Sequence, residues 1–127
     1  VLEIGCGSGD FAYALARKGF NVVAIDSDEN AIWQAKARFS NQQNLKFLQG
    51  KGECLNEVLG DQRFDCIASL FTAHHMELSA FQGMRDHLVD GGRIVIVDFY
   101  AESKSSFFSY LTDQIVLSQV RELRSVI

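Results

Sequence analysis

Gly5, Gly7 and Gly9 alternate with Cys6 and Ser8, and carboxylates flank the run at Glu3 and Asp10. Glycine has no Cβ and reaches backbone angles that other residues avoid, so such a loop lets a ligand lie against the main chain. Asp26 closes a second apolar run, Val22-Val23-Ala24-Ile25, where a carboxylate can accept hydrogen bonds from both hydroxyls of a ribose. His74 and His75 follow a further apolar segment. Either could act as a general base or only position a substrate, but catalysis is the minority reading for both, and packing against the next helix or shaping of the cofactor pocket is the preferred reading for His74. Cys6 has no evident basic partner and reads as an inert thiol.

The elements that must hold these residues alternate between strand and helix, the pattern of an α/β domain with a doubly wound parallel sheet. Strands are predicted at residues 1–4, 21–26, 45–49, 64–70 and 93–100. Helices are predicted at 11–18, from a cap at Ser27 or Asp28 to about 39, over one or two turns at 53–59, at 78–88, and from about 104 to 127. A turn at Asp90-Gly91-Gly92 precedes the last strand. Right-handed crossovers put the loops after the strands on one rim, where ligands of such sheets bind. The candidate stretches are therefore 5–10, 26–28, 50–53, 69–75 and 98–102. Tyr100 and Glu102 read as pocket wall or loop surface, and the aromatic cluster Phe107, Phe108 and Tyr110 could line a hydrophobic acceptor pocket, though at helical spacing core is the commoner reading.

Composition narrows the partners. A chain of 127 residues that is 47% hydrophobic is one domain with a core of its own. Its net charge of −4, with no run of Lys and Arg, gives nucleic acid no patch to bind. Three cysteines without CxxC spacing fit neither a disulfide framework nor a metal site, and suit a reducing, cytoplasmic setting. No stretch reads as a signal peptide or a membrane span.

Two ligand classes suit this layout. A dinucleotide such as NAD requires G-x-G-x-x-G with pyrophosphate on the helix N-terminus. Here the spacing is G-x-G-x-G, Asp10 occupies the third fingerprint position, and Glu3 adds negative charge nearby. S-adenosylmethionine carries a sulfonium and an ammonium and no phosphate, and an acidic loop edge suits it better. Asp26 fits both.

Leu2-Glu3-Ile4-Gly5-Cys6-Gly7-Ser8-Gly9 resembles the first motif of class I S-adenosylmethionine-dependent methyltransferases, and Val23-Ala24-Ile25-Asp26-Ser27-Asp28 resembles their second-strand acidic motif. Phe64-Asp65-Cys66-Ile67-Ala68-Ser69 with His74-His75, and Leu88-Val89-Asp90-Gly91-Gly92-Arg93-Ile94, resemble later motifs of the small-molecule branch. The four stand in register over about residues 1–99. The resemblance implies a Rossmann-like sheet with strands in the order 3-2-1-4-5, followed in the family by 7 and 6, and S-adenosylmethionine as cofactor. It implies that Gly5, Cys6 and Gly7 present backbone to the methionine half, with Glu3 acting on its amino group. Asp26 would hold the ribose with Ser27 beside the adenine, Gly52 and Glu53 would border the adenine, and Ser69 would lie under the methionine part. Lys51 stands where many relatives place an Asp, and a lysine cannot accept the adenine amino hydrogen.

The function this implies is methyl transfer to a small-molecule acceptor. The alternatives are a non-catalytic S-adenosylmethionine-binding regulatory or scaffold domain and, less favoured, an NAD-dependent oxidoreductase. Residues 1–127 are expected to be part of a longer methyltransferase domain, lacking an N-terminal helical segment and family strands 6 and 7. The last strand would then expose an apolar edge and favour self-association.

Overall fold

Side chains on a strand point alternately to opposite faces, so an unbroken apolar strand needs cover on both sides. The computed structural model, which describes residues 1–98, meets that need with helices on each face of a five-stranded parallel sheet. The elements run β1 (Leu2–Ile4), α1 (Asp10–Arg17), β2 (Val22–Asp26), α2 (Glu29–Arg38), β3 (Leu45–Gln49), α3 (Leu55–Leu59), β4 (Phe64–Leu70), α4 (Leu78–Asp86) and β5 (Leu88–Val97). The strand order is β3-β2-β1-β4-β5, as expected from the resemblance. The sheet is Rossmann-like and doubly wound.

The two faces have separate cores. Val22 and Ala24 of β2 join Ala12 and Ala16 of α1 and Ile32 and Ala35 of α2. Val23 and Ile25 point the other way, with Leu2, Ile4 and Ile67, toward Leu55, Phe81 and Met84 of α3 and α4. The small residues on α1 and α2 let these helices lie close to the sheet, which brings the turn before α1 down onto the strand ends.

Boundaries shift by about a residue at several element ends, and the larger difference from the sequence reading is at β5. Helix α4 stops at Asp86 and β5 already begins at Leu88, where a helix and then a turn were expected. Phe64 pairs with Leu88 while Cys66 pairs with Arg93, so the residues between them bulge out of the ladder. The Asp90-Gly91-Gly92 segment is that bulge, with Gly91 at φ 77. The cap expected at Ser27 or Asp28 is Asp28, whose side chain accepts from the Asn30 amide.

Buried His87 joins α4 to the strand layer. Its Nδ1 lies 2.7 Å from the Gln62 carbonyl and its Nε2 lies 3.0 Å from Asn56 Oδ1. The edge strand β5 leaves Val95 and Val97 exposed among the described residues. The expected helical segment from about 104, and anything that follows β5, lie outside the described residues. None of the described helices is long and apolar enough to cross a membrane.

Met84 is wholly buried between α4 and the sheet. Met84→Ala is expected to cost ~2–5 kcal/mol of stability in urea denaturation. Trp33→Ala, on an exposed side chain, should stay within about 0.5 kcal/mol.

Candidate functional site

The five carboxyl ends of the strands form one rim, and the glycine loop lies at its centre because β1 is the middle strand. All three loop glycines have positive φ: 77° at Gly5, 50° at Gly7 and 80° at Gly9. They serve different ends. A Cβ on Gly5 would run into the Thr72 side chain, and one on Gly9 would come within 2.6 Å of the Phe47 ring. A Cβ on Gly7 would meet nothing within 4 Å. Gly5 and Gly9 are glycine for close packing, whereas Gly7 borders open space where a ligand can approach the backbone.

The loop's amide hydrogens are directed inward. Gly5 and Cys6 both donate to the Ile25 carbonyl, at 2.9 and 3.0 Å, and Gly9 donates to the Cys6 carbonyl at 2.8 Å. Gly7 donates to Asp26 Oδ2 at 2.8 Å, while Asp28 donates to Asp26 Oδ1 at 2.9 Å. One carboxylate thus ties the β1–α1 loop to the β2–α2 turn. Each of its oxygens retains a further lone pair, enough to accept two hydroxyl hydrogens. Ser27 is exposed beside it.

Glu3 lies beneath this loop. It is 2% exposed, and the Ala12 amide in the first turn of α1 donates to its carboxylate. Burial raises its pKa from 4.5 to about 7, with a smaller push from the Asp26 charge and a partial offset from the Ala12 bond. Its second oxygen, Oε2, is buried with no hydrogen-bond partner among the described residues. The Ser69 hydroxyl, at the end of β4, is in the same condition. Burial first, then the charges of Glu3 and Asp26, push the Cys6 thiol up to about 12. It is not a nucleophile near neutral pH.

On the β3 side, Glu53 accepts from the Glu77 amide at the start of α4, at 3.1 Å. Gly52 is buried, with Ile4, Ala80 and Met76 around it. Both residues fasten the turn after β3 to α4, and Lys51 beside them is exposed.

On the β4 side, the structure brings together residues whose proximity the sequence did not signal. Thr72 packs against Gly5 and lies within hydrogen-bond reach of the Gly5 carbonyl at 3.4 Å. Phe71 holds φ 54, the only positive value outside glycine among the described residues. Strain of that kind in a bulky residue persists only where the surroundings enforce it. His74 Nδ1 lies 2.8 Å from Asp98 Oδ1, and the His74 amide donates to Asp98 Oδ2 at 2.8 Å. Asp98 follows β5, so this pair joins the ends of β4 and β5. The exposed His75 ring lies 3.9 Å from that of His74.

Asp10 does not stand as the sequence reading placed it. Arg38 Nη2 pairs with Asp10 Oδ1 at 2.8 Å, and the Ser8 hydroxyl donates to Oδ2 at 2.5 Å. The Arg38 and then the Ser8 hydrogen bonds hold its carboxyl below the usual range. Its charge is balanced, so repulsion of a pyrophosphate cannot be assigned to Asp10. Arg38, twenty-eight residues away, was not singled out in the sequence because nothing in local spacing links it to the loop. Tyr100, Glu102 and the aromatic cluster lie outside the described residues. Among the described residues no three His, Cys, Asp or Glu side chains gather as a metal site requires. A cavity of about 330 Å³ lies at the opposite rim, lined by Asn21, Asn44 and Arg63, away from this chemistry.

Residues 1–92 match the methyltransferase domain family. An uncharacterized methyltransferase of Staphylococcus carnosus (strain TM300) is 30% identical over 132 residues, covering 98% of this chain and 60% of the relative. The solved structure of the YcgJ protein of Bacillus subtilis superposes with a TM-score of 0.72 at 29% identity, over 79% of this chain and 44% of that one. The glycopeptide N-methyltransferase MtfA, solved with S-adenosyl-L-methionine, shares the fold at a TM-score of 0.68 and 18% identity, over 83% of this chain and 46% of that one. The chain spans from about a quarter to less than two thirds of the length of the curated relatives it matches, 26% of one and 62% of another.

Glu3 gives the site a pH signature. Its folded pKa, about 7, lies above the unfolded 4.5, so the folded state binds the proton more tightly. The stabilisation is complete below pH 4.5 and is lost as pH rises through about 7. At about 1.4 kcal/mol per unit, the whole loss amounts to about 3 kcal/mol. Comparing wild type with Glu3→Gln by urea denaturation across this range should show the loss in wild type and its absence in the variant.

Proposed function

This chain belongs to the methyltransferase domain family, and we propose that it holds S-adenosylmethionine over the ends of β1, β2 and β4 and transfers its methyl group to a small-molecule acceptor. The observation that carries this is the buried Glu3 carboxylate with its unpartnered Oε2 beneath the glycine loop. A desolvated carboxylate attracts a cation and repels an anion. S-adenosylmethionine brings an ammonium and a sulfonium, whereas a dinucleotide brings a pyrophosphate.

The loop amides support the same choice. Pyrophosphate at a helix N-terminus requires N–H donors directed at the ligand. Here the amides of Gly5, Cys6, Gly7 and Gly9 already donate to protein acceptors. An ammonium instead requires acceptors, and loop carbonyls with Glu3 provide them.

When bound, S-adenosylmethionine supplies a methyl group activated by its sulfonium. The residues of this chain do the rest. Asp26 accepts from the ribose hydroxyls while keeping Gly7 and Asp28 in place. Gly7 gives the ligand access to the backbone, Gly5 and Cys6 border the methionine half, and the Ser69 hydroxyl lies beneath it. Ser27, Gly52 and Glu53 border the adenine. Binding that fixes donor and acceptor in line supplies much of the rate in such a displacement. A small acceptor is supported by one structural neighbour, MtfA, which is a glycopeptide N-methyltransferase.

Calorimetry should find S-adenosylmethionine bound more tightly than NAD; the reverse order overturns the assignment. Asp26→Ala should weaken S-adenosylmethionine by about tenfold to hundredfold, the worth of hydrogen bonds to a charged group. Binding near pH 7 should also release a fraction of a proton, because a cation beside Glu3 favours its ionised form. Two buffers of different ionisation enthalpy read that release directly, and Glu3→Gln should remove it.

A further inference from the structure

We propose that Arg38, at the end of α2, is a positioning residue of the cofactor site: it latches the exit of the glycine loop and thereby tightens the binding of S-adenosylmethionine. The role rests on the S-adenosylmethionine reading above, and Arg38 acts through the loop rather than on the ligand.

The loop is fastened differently at its two ends. Its first half is tied to β2, where the Ile25 carbonyl accepts from Gly5 and Cys6 and Asp26 accepts from Gly7. In the second half, Gly9 donates to Cys6 within the loop itself and precedes α1 without a side chain to cap that helix. Among the described residues, the hydrogen bonds that join Ser8 and Asp10 to a distant element all come from Arg38. Its Nη2 donates to Asp10 Oδ1 at 2.8 Å, and Nη1 lies 3.2 Å from Asp10 Oδ2 and 3.4 Å from the Ser8 carbonyl. The Ser8 hydroxyl closes the group by donating to Asp10 Oδ2.

The guanidinium is held in place from behind. It lies 4.8 Å from the centre of the Phe39 ring, and that ring stacks at 4.3 Å on Tyr13 of α1 and at 6.2 Å on Phe47 of β3. Phe47 in turn fills the space that a Cβ on Gly9 would need. A planar fork backed by an aromatic face loses less freedom on bonding a carboxylate than a lysine would.

The latch reaches the ligand through two neighbours. Ser8 follows Gly7, the loop glycine whose bare face meets nothing within 4 Å. Asp10 opens α1, and two residues further on the Ala12 amide donates to Glu3. Holding Ser8 and Asp10 therefore holds both the open backbone at Gly7 and the helical turn that bonds Glu3. A loop ordered beforehand loses less freedom when the ligand arrives, and affinity rises by that amount.

Charge acting through space gives the opposite sign for Arg38, which separates the two effects. A guanidinium repels a cationic ligand and a carboxylate attracts it. On charge alone, Arg38→Gln tightens S-adenosylmethionine and Asp10→Asn weakens it. With a latch, both substitutions weaken it.

Calorimetry on the full chain, with S-adenosylmethionine as titrant, reads that sign. Arg38→Gln and Asp10→Asn should each raise Kd about two- to fivefold, the range that an exposed ion pair supports. The double variant should be no weaker than the weaker single one, because both remove the same contact. Arg38→Lys, which keeps the charge and loses the fork, should fall between wild type and Arg38→Gln. Lys36→Gln, which removes an exposed cation from the same helix outside the latch, should leave Kd at the wild-type value. In the ligand-free protein, amide exchange at Gly7 and Gly9 should quicken in Arg38→Gln while that at Val23 stays the same, with urea denaturation confirming a wild-type fold. Tighter or unchanged binding in Arg38→Gln, additive losses in the double variant, or exchange at Gly7 and Gly9 indifferent to Arg38 each overturns the proposal. Failure of the wild-type chain to bind S-adenosylmethionine instead overturns the reading beneath it.

Discussion

A carboxylate removed from water sets the terms for the rim of this sheet. Glu3 sits in the central strand, where among the described residues the Ala12 amide is its hydrogen-bond donor. A charge so placed is unfavourable unless something positive approaches or a proton binds. The first turn of α1 partly offsets the charge, which helps to explain why that helix follows the loop so closely. In the proposed reading, the remaining deficit is met by the cationic ligand. A site built on such a group is less stable alone than filled, and its preference for a cation is set before any ligand contact is considered.

The loop above Glu3 is held by long-range contacts rather than by its own sequence. Ile25 accepts from Gly5 and Cys6, Asp26 accepts from Gly7, and Thr72 packs on the bare face of Gly5. The end of β2 and the turn after β4, on either side of β1, thus both fasten the loop. Asp26 is doubly engaged: it shapes the loop and still has lone pairs to offer. In the proposed site, a binding residue that also supports its neighbours would cost less order on ligand binding, because its rotamer is already fixed. The same economy appears at Asp98, which holds both the backbone and the ring of His74.

Charge at the loop exit is balanced differently. Asp10 and Glu3 are both acidic and near in sequence, yet Asp10 is exposed and paired with Arg38 whereas Glu3 is buried and underpaired. Solvent and a guanidinium silence the first; desolvation amplifies the second. Residue type alone made the two look equivalent.

The sequence by itself determined the order and type of the elements, the two-sided burial of the strands, and the identity of the rim. These follow from local periodicity and glycine spacing, which a chain carries without any long-range contact. β3 and β4 match their predicted bounds, since apolar alternation and flanking turns mark them. Asp26 was legible for the same reason, as a carboxylate ending an apolar run. Only the tertiary structure decided which glycine faces open space, that Arg38 neutralises Asp10, that Glu53 and Gly52 fasten the turn after β3 to α4, and that Asp98 orients His74. The β5 bulge was hidden too, because register belongs to a pair of strands and not to either one. Each of these depends on which side chains meet across the sheet, and the partners lie twenty to seventy residues apart in sequence, as with Asp98 and His74 or Thr72 and Gly5.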